Sequence, residues 1–560
     1  MNFAARFRKA FNAAFDVLIR RYVRGVIYFC RHRVLTWGIL IASMVLLVVL
    51  MRTTKTGLVP DEDTGTVMVS INTKPGTSLS QTTQVLAQLE EEIQQMPQVN
   101  HYATVSGYSL SGSVASAGMI IISLKDWSER KGKGDDVRSL IERINGLSRK
   151  IPDAQLFAAT PPMINGYGMV NGFELHVQDK GGQAVSALDA ATKRFIAALG
   201  NRPEIGSAYT AFSSDYPQYR LDIDAAKCER SGLSPAAVLS VISGYYGGQY
   251  ISNFNRFAKL YRVMIQAEPD RRVTPESLNH LYVRTGEGEM APIGQFARLT
   301  KTYVPRSLNR FNLYGSIAVN GAAAEGYSSG DAIRVIDEVA DETLPKGYSY
   351  EFGGITREES QSTGNTVLIF AICFVLVYLI LSALYESFLV PFAVVLALPF
   401  GLFGSFLFAK FMGLENNIYM QTGLIMLIGL LAKTAILITE YAVKRREAGM
   451  SLIQAAVGVA KVRLRPILMT ALTMVFGLLP LMVSTGVGAN GNRTLGSGAV
   501  GGMLVGTLAL LFIVPALFIV FQWLQEQIRP VQAMRSDEWA IRAEIEELQK
   551  QKKEKRSCRR

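Results

Sequence analysis

A charged side chain in the middle of an apolar run has few uses beyond moving a proton or holding an anion, and Lys433 is such a residue. It stands ten residues before the end of the run 418–443, about 15 Å from that end at helical rise. That depth is mid-membrane. A lysine there costs at least about 2.5–3.5 kcal/mol on insertion scales, so it is expected to face the interior of a helix bundle and to be paired. Glu440, the only well-embedded acid of the apolar runs, shares its face but lies seven residues further on, about 10 Å along the axis. Lys433 therefore reads as an orphan within these 560 residues, and the simplest repair is a carboxylate from another polypeptide. A neutral or snorkelling lysine is the plainer alternative. Arg463 and Thr470 are also seven residues apart and bracket the start of the run 466–485. Pro466 is expected in its first turn, where a missing N–H is harmless. Taken singly, Arg463 is a topology charge and Thr470 a hydroxyl bonded back to its own helix. With Lys433 they would form a polar track into the membrane, as proton pathways require.

Such a track needs a bundle to hold it. Hydrophobic residues make up 49% of the chain and charged ones 19%, which excludes a disordered chain and favours a membrane protein over an ordinary soluble enzyme. Six stretches approach the roughly 18–25 apolar residues that cross a bilayer: 34–51, 366–384, 387–409, 418–443, 466–485 and 495–521. One precedes a long mixed region and five follow it. Ahead of the first lie Arg6, Arg8, Lys9, Arg20, Arg21, Arg24, Arg31 and Arg33 against one acid, Asp16, which assigns that end to the cytoplasm. Alternation then puts the basic loop 444–465 and the C-terminus in the cytoplasm, and the turn 413–417 and the Gly/Asn loop 487–493 outside. The first run is expected to be an uncleaved anchor, because Arg52 to Lys55 offers no small-residue cleavage site. With the basic residues beside apolar runs, the net charge of +12 speaks for topology and not for nucleic acid. Four cysteines without a CxxC pair support neither a zinc site nor a disulfide framework.

Between positions 53 and 365 the periodicity alternates between strand and helix. It reads as strand 66–73, helix 79–96, strands 100–105 and 119–124, helix 137–147 and strand 155–159, in the order β-α-β-β-α-β. A second pass reads as strand 173–177, helix 184–199, strand 206–212, strand 316–319, helix 330–342 and strand 348–352, interrupted by an insert over 216–308. The fold class expected is thus a membrane α-helical bundle of six spans plus an α+β region of two ferredoxin-like (split β-α-β) subdomains, one carrying an inserted domain. Paired domains of this kind form clefts where small ligands bind; two purely structural domains are the plainer alternative. The stretch 107–118 is rich in Gly and Ser, with Tyr108 and Leu110 its only large side chains, and reads as a mobile ligand gate or a surface loop. Gly498 and Gly502 have the spacing that lets helices approach closely. The sequence has no P-loop, HExxH or GxSxG, and His32, His101, His176 and His280 are scattered, so nothing supports an enzyme or an ATP-driven mechanism.

From Tyr28 to Trp523 the chain resembles the resistance-nodulation-division (RND) transporters, the AcrB-like multidrug branch in particular. The strings that carry the resemblance are Leu58-Val-Pro-Asp-Glu-Asp63, Ala117-Gly-Met119 with Ser123-Leu-Lys125, Ser329-Gly-Asp331, Ala383-Leu-Tyr-Glu-Ser387, Ile428-Gly-Leu-Leu-Ala-Lys-Thr-Ala-Ile-Leu-Ile438 and Arg463-Leu-Arg-Pro-Ile-Leu-Met-Thr470. It is a resemblance to the C-terminal half of such a pump. It implies a cytoplasmic amphipathic linker helix over 1–33, a first span over 34–52, porter subdomains over 53–162 and over 163–215 with 309–363, a docking domain over 216–308, five spans over 364–523 and a charged cytoplasmic tail over 524–560.

By the same resemblance Lys433, Arg463 and Thr470 match proton-relay positions, whose partners are two adjacent aspartates on a span of the N-terminal half. Val105, Tyr108, Leu110 and Ile121 match positions lining the deep drug site, and 107–118 its switch loop. Phenylalanines are usual at several of these positions, so the drug spectrum is not implied. Gly247-Gly-Gln-Tyr-Ile-Ser-Asn-Phe254 opens the loop used in trimer contact. The activity implied is proton-driven efflux of hydrophobic or amphiphilic small molecules across the inner membrane of a Gram-negative cell, with no cofactor beyond the proton gradient. The partners implied are the missing N-terminal RND half, further copies in a homotrimer, a periplasmic adaptor and an outer-membrane channel. An inactive truncated remnant, an RND branch exporting metals or lipids, and a non-transporting scaffold that binds an adaptor remain as alternatives.

Overall fold

The computed structural model describes residues 3–109, 112–132 and 134–530; Leu110 and the charged tail from 531 onward lie outside them. α1 (Phe3–Arg31) buries Tyr22, Val26 and Cys30 at one-turn spacing. α2 (Arg33–Thr53) follows as the first of six helices long and apolar enough to cross a membrane. The mixed region then opens with β1 (Thr66–Thr73), α3 (Leu79–Gln94), β2 (Val99–Ser109), β3 (Gly112–Leu124), α4 (Val137–Gly146) and β4 (Ala154–Ala159). Ser78 and Asp136 start the two helices by accepting from the N–H of Gln81 and Ser139. The strands pair antiparallel in the order β2-β3-β1-β4.

Strand alternation decides which face of this sheet is covered. Val67, Val69, Ile71, Ile120 and Ile122 point at α3 and α4 and pack with Leu86, Leu89, Ile93, Leu140 and Ile144. Each such side chain stabilises the fold by about 1.5–3 kcal/mol. Gly118 lies directly under Leu86, where an added Cβ would come within 2.8 Å of Leu86 Cδ1, so Gly118→Ala would press α3 off the sheet. Within the stretch 107–118, residues 107–109 and 112–118 are strand and not the surface loop that is one of its two readings. Ala117 and Gly118 pair with Asn72 and Ile71 of β1, and that ladder commits backbone which a Gly/Ser composition would otherwise leave free.

A second unit begins with β5 (Phe173–Asp179), α5 (Val185–Gly200) and β6 (Ile205–Tyr209). An insert follows, of β7 (Tyr216–Ile223), α6 (Ala225–Arg230), α7 (Pro235–Ile242), β8 (Gln249–Arg256), β9 (Lys259–Ile265), β10 (Tyr282–Arg284), β11 (Met290–Pro292) and β12 (Ala297–Val304). Its strands form three separate pairs, β7 with β12, β8 with β9 and β10 with β11, around a small core that includes Cys228, Val238, Ile293 and Phe296. The unit resumes with β13 (Asn309–Phe311), β14 (Tyr314–Ala323), α8 (Ser329–Thr343) and β15 (Tyr348–Phe352). In its sheet β15, β5, β14 and β6 stand where β4, β1, β3 and β2 stand in the first.

The bundle closes the chain with α9 (Gly354–Tyr385), α10 (Pro391–Val395), α11 (Pro399–Phe411), α12 (Ile418–Glu447), α13 (Leu452–Met482) and α14 (Ala489–Ile528); α10 and α11 share one span. α14 is central and packs on α11, α12 and α13. A Cβ added to Gly502 would run into Ser405 Oγ and lie 3.0 Å from the Gly401 carbonyl, so α11 and α14 touch backbone to backbone, and the Ser405 hydroxyl donates across to the Gly498 carbonyl at 2.6 Å. Two expected boundaries shift. A capping box between Ser451 and Gln454 starts α13 at Leu452 and not at 466, so Lys461 and Arg463 are helical and not in a loop, and Pro466 lies in the helix interior. α14 starts at Ala489, which removes most of the loop expected over 487–493.

Candidate functional site

α12 begins at Asn417, whose side chain accepts from the N–H of Tyr419 and Met420 at 3.1 Å each. Met420, Leu424, Leu427, Leu431, Ala435, Ile438 and Ala442 form its buried stripe. Ile418, Thr422, Ile425, Met426, Gly429 and Lys433 are left on the opposite, exposed stripe. Lys433 therefore does not face the interior of this bundle, contrary to the expectation from its cost. The apolar stripe takes the contact with α11 and α14, and the lysine turns outward by helical geometry. Among the described residues no side chain or carbonyl pairs with it. Glu440, on the same stripe, pairs instead with Lys444 at 3.2 Å.

Arg463 approaches α12 at a different height. Its guanidinium carbon lies 4.5 Å from the ring centroid of the buried Tyr441, and that of Arg445 lies 5.0 Å from the same ring. A ring face holds a cation without neutralising it. Arg463 Nε is buried without a hydrogen-bond partner among the described residues. Tyr441 is eight residues past Lys433, about 12 Å along the axis. α13 runs back antiparallel, so Thr470, seven residues past Arg463, returns to about the level of Lys433 and Thr434. Thr470 is exposed, and its hydroxyl donates to the Pro466 carbonyl at 2.6 Å and shares the Ile467 carbonyl at 3.1 Å. Lys433 and Thr470 thus stand at one height on the outward sides of two helices, while Arg463 is about two turns away against Tyr441. Pro466 supplies no N–H to the turn before it, and Thr470 occupies its carbonyl.

The other group of site residues lies on the first sheet. Val105 and Ile121 fall on the face away from α3 and α4, since Val105 pairs with Met119 and Ile121 with Ala103, and both are exposed. Tyr108 is exposed beyond a register shift in β2, and Leu110 lies outside the described residues. Sequence reasoning missed three neighbours. Met68 and Phe157 share the open face by register, and the Phe157 ring lies 3.9 Å from that of Tyr209 on β6, joining the first unit to the second. Burial pushes the Tyr209 phenol above its ordinary range. The parity of β1 and β4 carried the signal for Met68 and Phe157; nothing local carried it for Tyr209. Also missed was a clasp at the other end of the bundle, where Arg446 of α12 holds both oxygens of Glu526 of α14 at 2.7 and 2.8 Å.

A model described as the AcrB/AcrD/AcrF family matches residues 2–522. The toluene efflux pump membrane transporter TtgB of Pseudomonas putida is 35% identical over 514 residues, which is 91% of this chain and 48% of that protein. The solvent-resistant pump membrane transporter SrpB, also of Pseudomonas putida, is 34% identical over 522 residues, 91% and 49% of the two chains. The multidrug resistance protein MdtF of Escherichia coli is 32% identical over 520 residues, 92% and 50%. The chain spans about half the length of the curated relatives it matches.

Proposed function

Because this chain belongs to the AcrB/AcrD/AcrF family of RND efflux transporters, we propose that it takes part in proton-driven export of hydrophobic or amphiphilic small molecules. One observation carries the reading. A lysine stands midway along a helix long and apolar enough to cross a membrane, on an exposed stripe beside Ile425, Met426 and Gly429, with no partner among the described residues. A charge so placed is expensive, and its natural complement is a carboxylate on helices that cover the stripe. On this reading those helices belong to an N-terminal RND half. The outward side of α13, with Met469, Leu472 and Phe476 exposed, leaves room for them beside α12. Protonation of the carboxylate removes the charge that holds the Lys433 ammonium; α12 and α13 then shift, with Thr470 beside the lysine and Arg463 marking the cytoplasmic approach. Inward movement of a proton is worth about 2.3 kcal/mol per 100 mV, so a few protons suffice to drive a cycle.

In the same reading the two repeated units are ferredoxin-like porter subdomains in the periplasm, the insert over 216–308 is a docking domain, and the open face with Val105, Tyr108 and Ile121 contacts substrate. The proton gradient is the only cofactor. The chain sits in the inner membrane of a Gram-negative cell with both ends in the cytoplasm, and works as a trimer with a periplasmic adaptor and an outer-membrane channel. The test is dye export by cells that make this chain together with the N-terminal half of an RND pump. Lys433→Ala is expected to reduce export to background at an unchanged amount of protein in the membrane. Export at the parent rate overturns the reading.

A further inference from the structure

The segment 55–63 joins α2 to β1 and contains the string Leu58-Val-Pro-Asp-Glu-Asp63. It forms one isolated parallel bridge, Thr56 with Asn416, yet its backbone is committed to elements distant in sequence. Gly57 N–H donates to the Asn416 carbonyl at 3.3 Å, Asn416 N–H to the Lys55 carbonyl at 2.8 Å, Ile418 N–H to the Leu58 carbonyl at 3.1 Å and Gly330 N–H to the Thr56 carbonyl at 3.1 Å. These bonds tie the strap to the first residues of α12 and of α8. Glu62 goes further. Its carboxylate accepts from the N–H of Asn490 at 3.1 Å and of Gly491 at 2.7 Å, and the Asp61 carbonyl accepts from the Asn490 side-chain amide at 2.6 Å. The residue at the N-cap of α14 is Gly488, which has no side chain to cap with. The leading amides of the central helix are therefore satisfied by a carboxylate 428 and 429 positions earlier in the chain.

One residue on, Asp63 forms an ion pair with Arg130 at 2.8 Å, the arginine side chain being 2% exposed, and its carbonyl accepts the Trp127 indole N–H at 3.2 Å. Trp127 and Arg130 belong to the connection between β3 and α4, in the first outer unit. Neighbouring Cα atoms are 3.8 Å apart, so no slack separates the group held by α14 from the group held by Arg130. Two charge-assisted bonds and the positive end of the helix dipole both favour the carboxylate at the head of α14.

We propose that Glu62 is a positioning residue through which a shift of α12, passed to the α14 packed on it, reaches the first outer unit, the strap acting as a rigid link and not only as a helix cap. The inference rests on the reading of Lys433 as part of a relay. It is tested by hydrogen exchange of the full chain assembled with the N-terminal half of an RND pump in lipid nanodiscs, comparing the parent, Lys433→Ala, Glu62→Ala and the double variant. In the parent background Lys433→Ala is expected to change exchange in 64–73 and 126–131 by about fivefold or more, the lower end of coupling between distant sites. With Glu62→Ala that response is expected to vanish, while peptides of α12 around 433 still respond. A cap with a merely local role would raise exchange over 489–495 and leave the distant response intact. Should Glu62→Ala fail to fold, Glu62→Asp keeps the charge but is one methylene too short to hold both amides, and is expected to at least halve the response. An undiminished response in either variant overturns the link and leaves the relay standing. No response to Lys433→Ala in the parent overturns the relay, and the link with it.

Discussion

On the exposed stripe of α12 one cation stands with no partner among the described residues, whereas at the junction of the bundle with the mixed region four carboxylates stand with two partners each. Glu62 holds the N–H groups of Asn490 and Gly491. Asp63 holds Arg130 and the N–H of Gly65. Asp61 holds the side chains of Asn171 and Arg138, and Glu359 holds the Ser329 hydroxyl and the backbone of Leu58. The two regions put charge to opposite uses. A fully partnered charge fixes geometry, and removing one side of it leaves the other uncompensated. An unpartnered charge in an apolar stripe contributes no stability to this chain and is poised to respond to whatever approaches it.

The sharpest test of that contrast is neutralisation in both places, with opposite expected signs. Lys433→Met removes the insertion cost of about 2.5–3.5 kcal/mol, so the chain should insert and withstand heating as well as or better than the parent. On the proposed relay, dye export by the assembled pump should nevertheless fall by more than about 100-fold, because proton entry would have no charge to act on. Export and thermal denaturation measured on the same preparation check both signs; loss of stability would mean that Lys433 is partnered. Asp63→Ala should instead destabilise, by about 2–3 kcal/mol, because Arg130 is left buried without its anion. Its stacking on Trp127, with the guanidinium carbon 5.8 Å from the ring centroid, softens the loss. Faster exchange over β1 and a change in Trp127 emission are the measurements.

The helical span with Lys433 and the alternating strands of the first sheet were legible in the sequence, because both follow from local periodicity. The direction in which Lys433 points was not, since it depends on which stripe α11 and α14 occupy. Nor was the start of α13, where Lys461, Arg463 and Arg465 resemble loop charges and only the pair Ser451 and Gln454 marks the true beginning. The Gly/Ser stretch 107–118 misled by composition, because its strand character comes from pairing with β1, over forty residues earlier. The junction was invisible for the same reason. Glu62 carries no local sign of its role, as the amides it holds lie at the far end of the chain.

A smaller effect is expected within the junction itself, and it concerns pH. Glu415, in the turn between α11 and α12, is pushed up to about 7, by burial first and then by the charge of Asp61, with Glu359 and Asp331 adding to the effect and Lys55 opposing it. A carboxyl raised above its unfolded value of about 4.3 favours the fold when protonated. That stability is fully present below pH 4.3 or so and is lost as pH rises through 7. Protection of amides 55–58 from exchange, corrected for the intrinsic rate, should therefore fall by about thirtyfold between pH 5.5 and pH 8, the equivalent of about one and a half pKa units. Glu415→Gln should flatten the profile at its protected end. A flat profile in the parent would place the junction beyond the reach of pH and leave the contrast with Lys433 purely one of partners.

The smallest effect decides whether the contrast is real. Glu440 shares a stripe with Lys433 and is the acid nearest to it in sequence on α12, so a critic would assign it as the missing partner. The geometry argues otherwise. Seven residues of helix separate the two, about 10 Å, and Glu440 already pairs with Lys444 one turn on, both side chains nearly half exposed. An exposed pair at this spacing is worth about 0.3–0.5 kcal/mol. Glu440→Gln should therefore leave both stability and dye export within about twofold of the parent, in a preparation where Lys433→Met abolishes export. If Glu440→Gln abolished export as well, the two residues would be acting together, Lys433 would have its anion within its own chain, and the case for a carboxylate on covering helices would lose its main support.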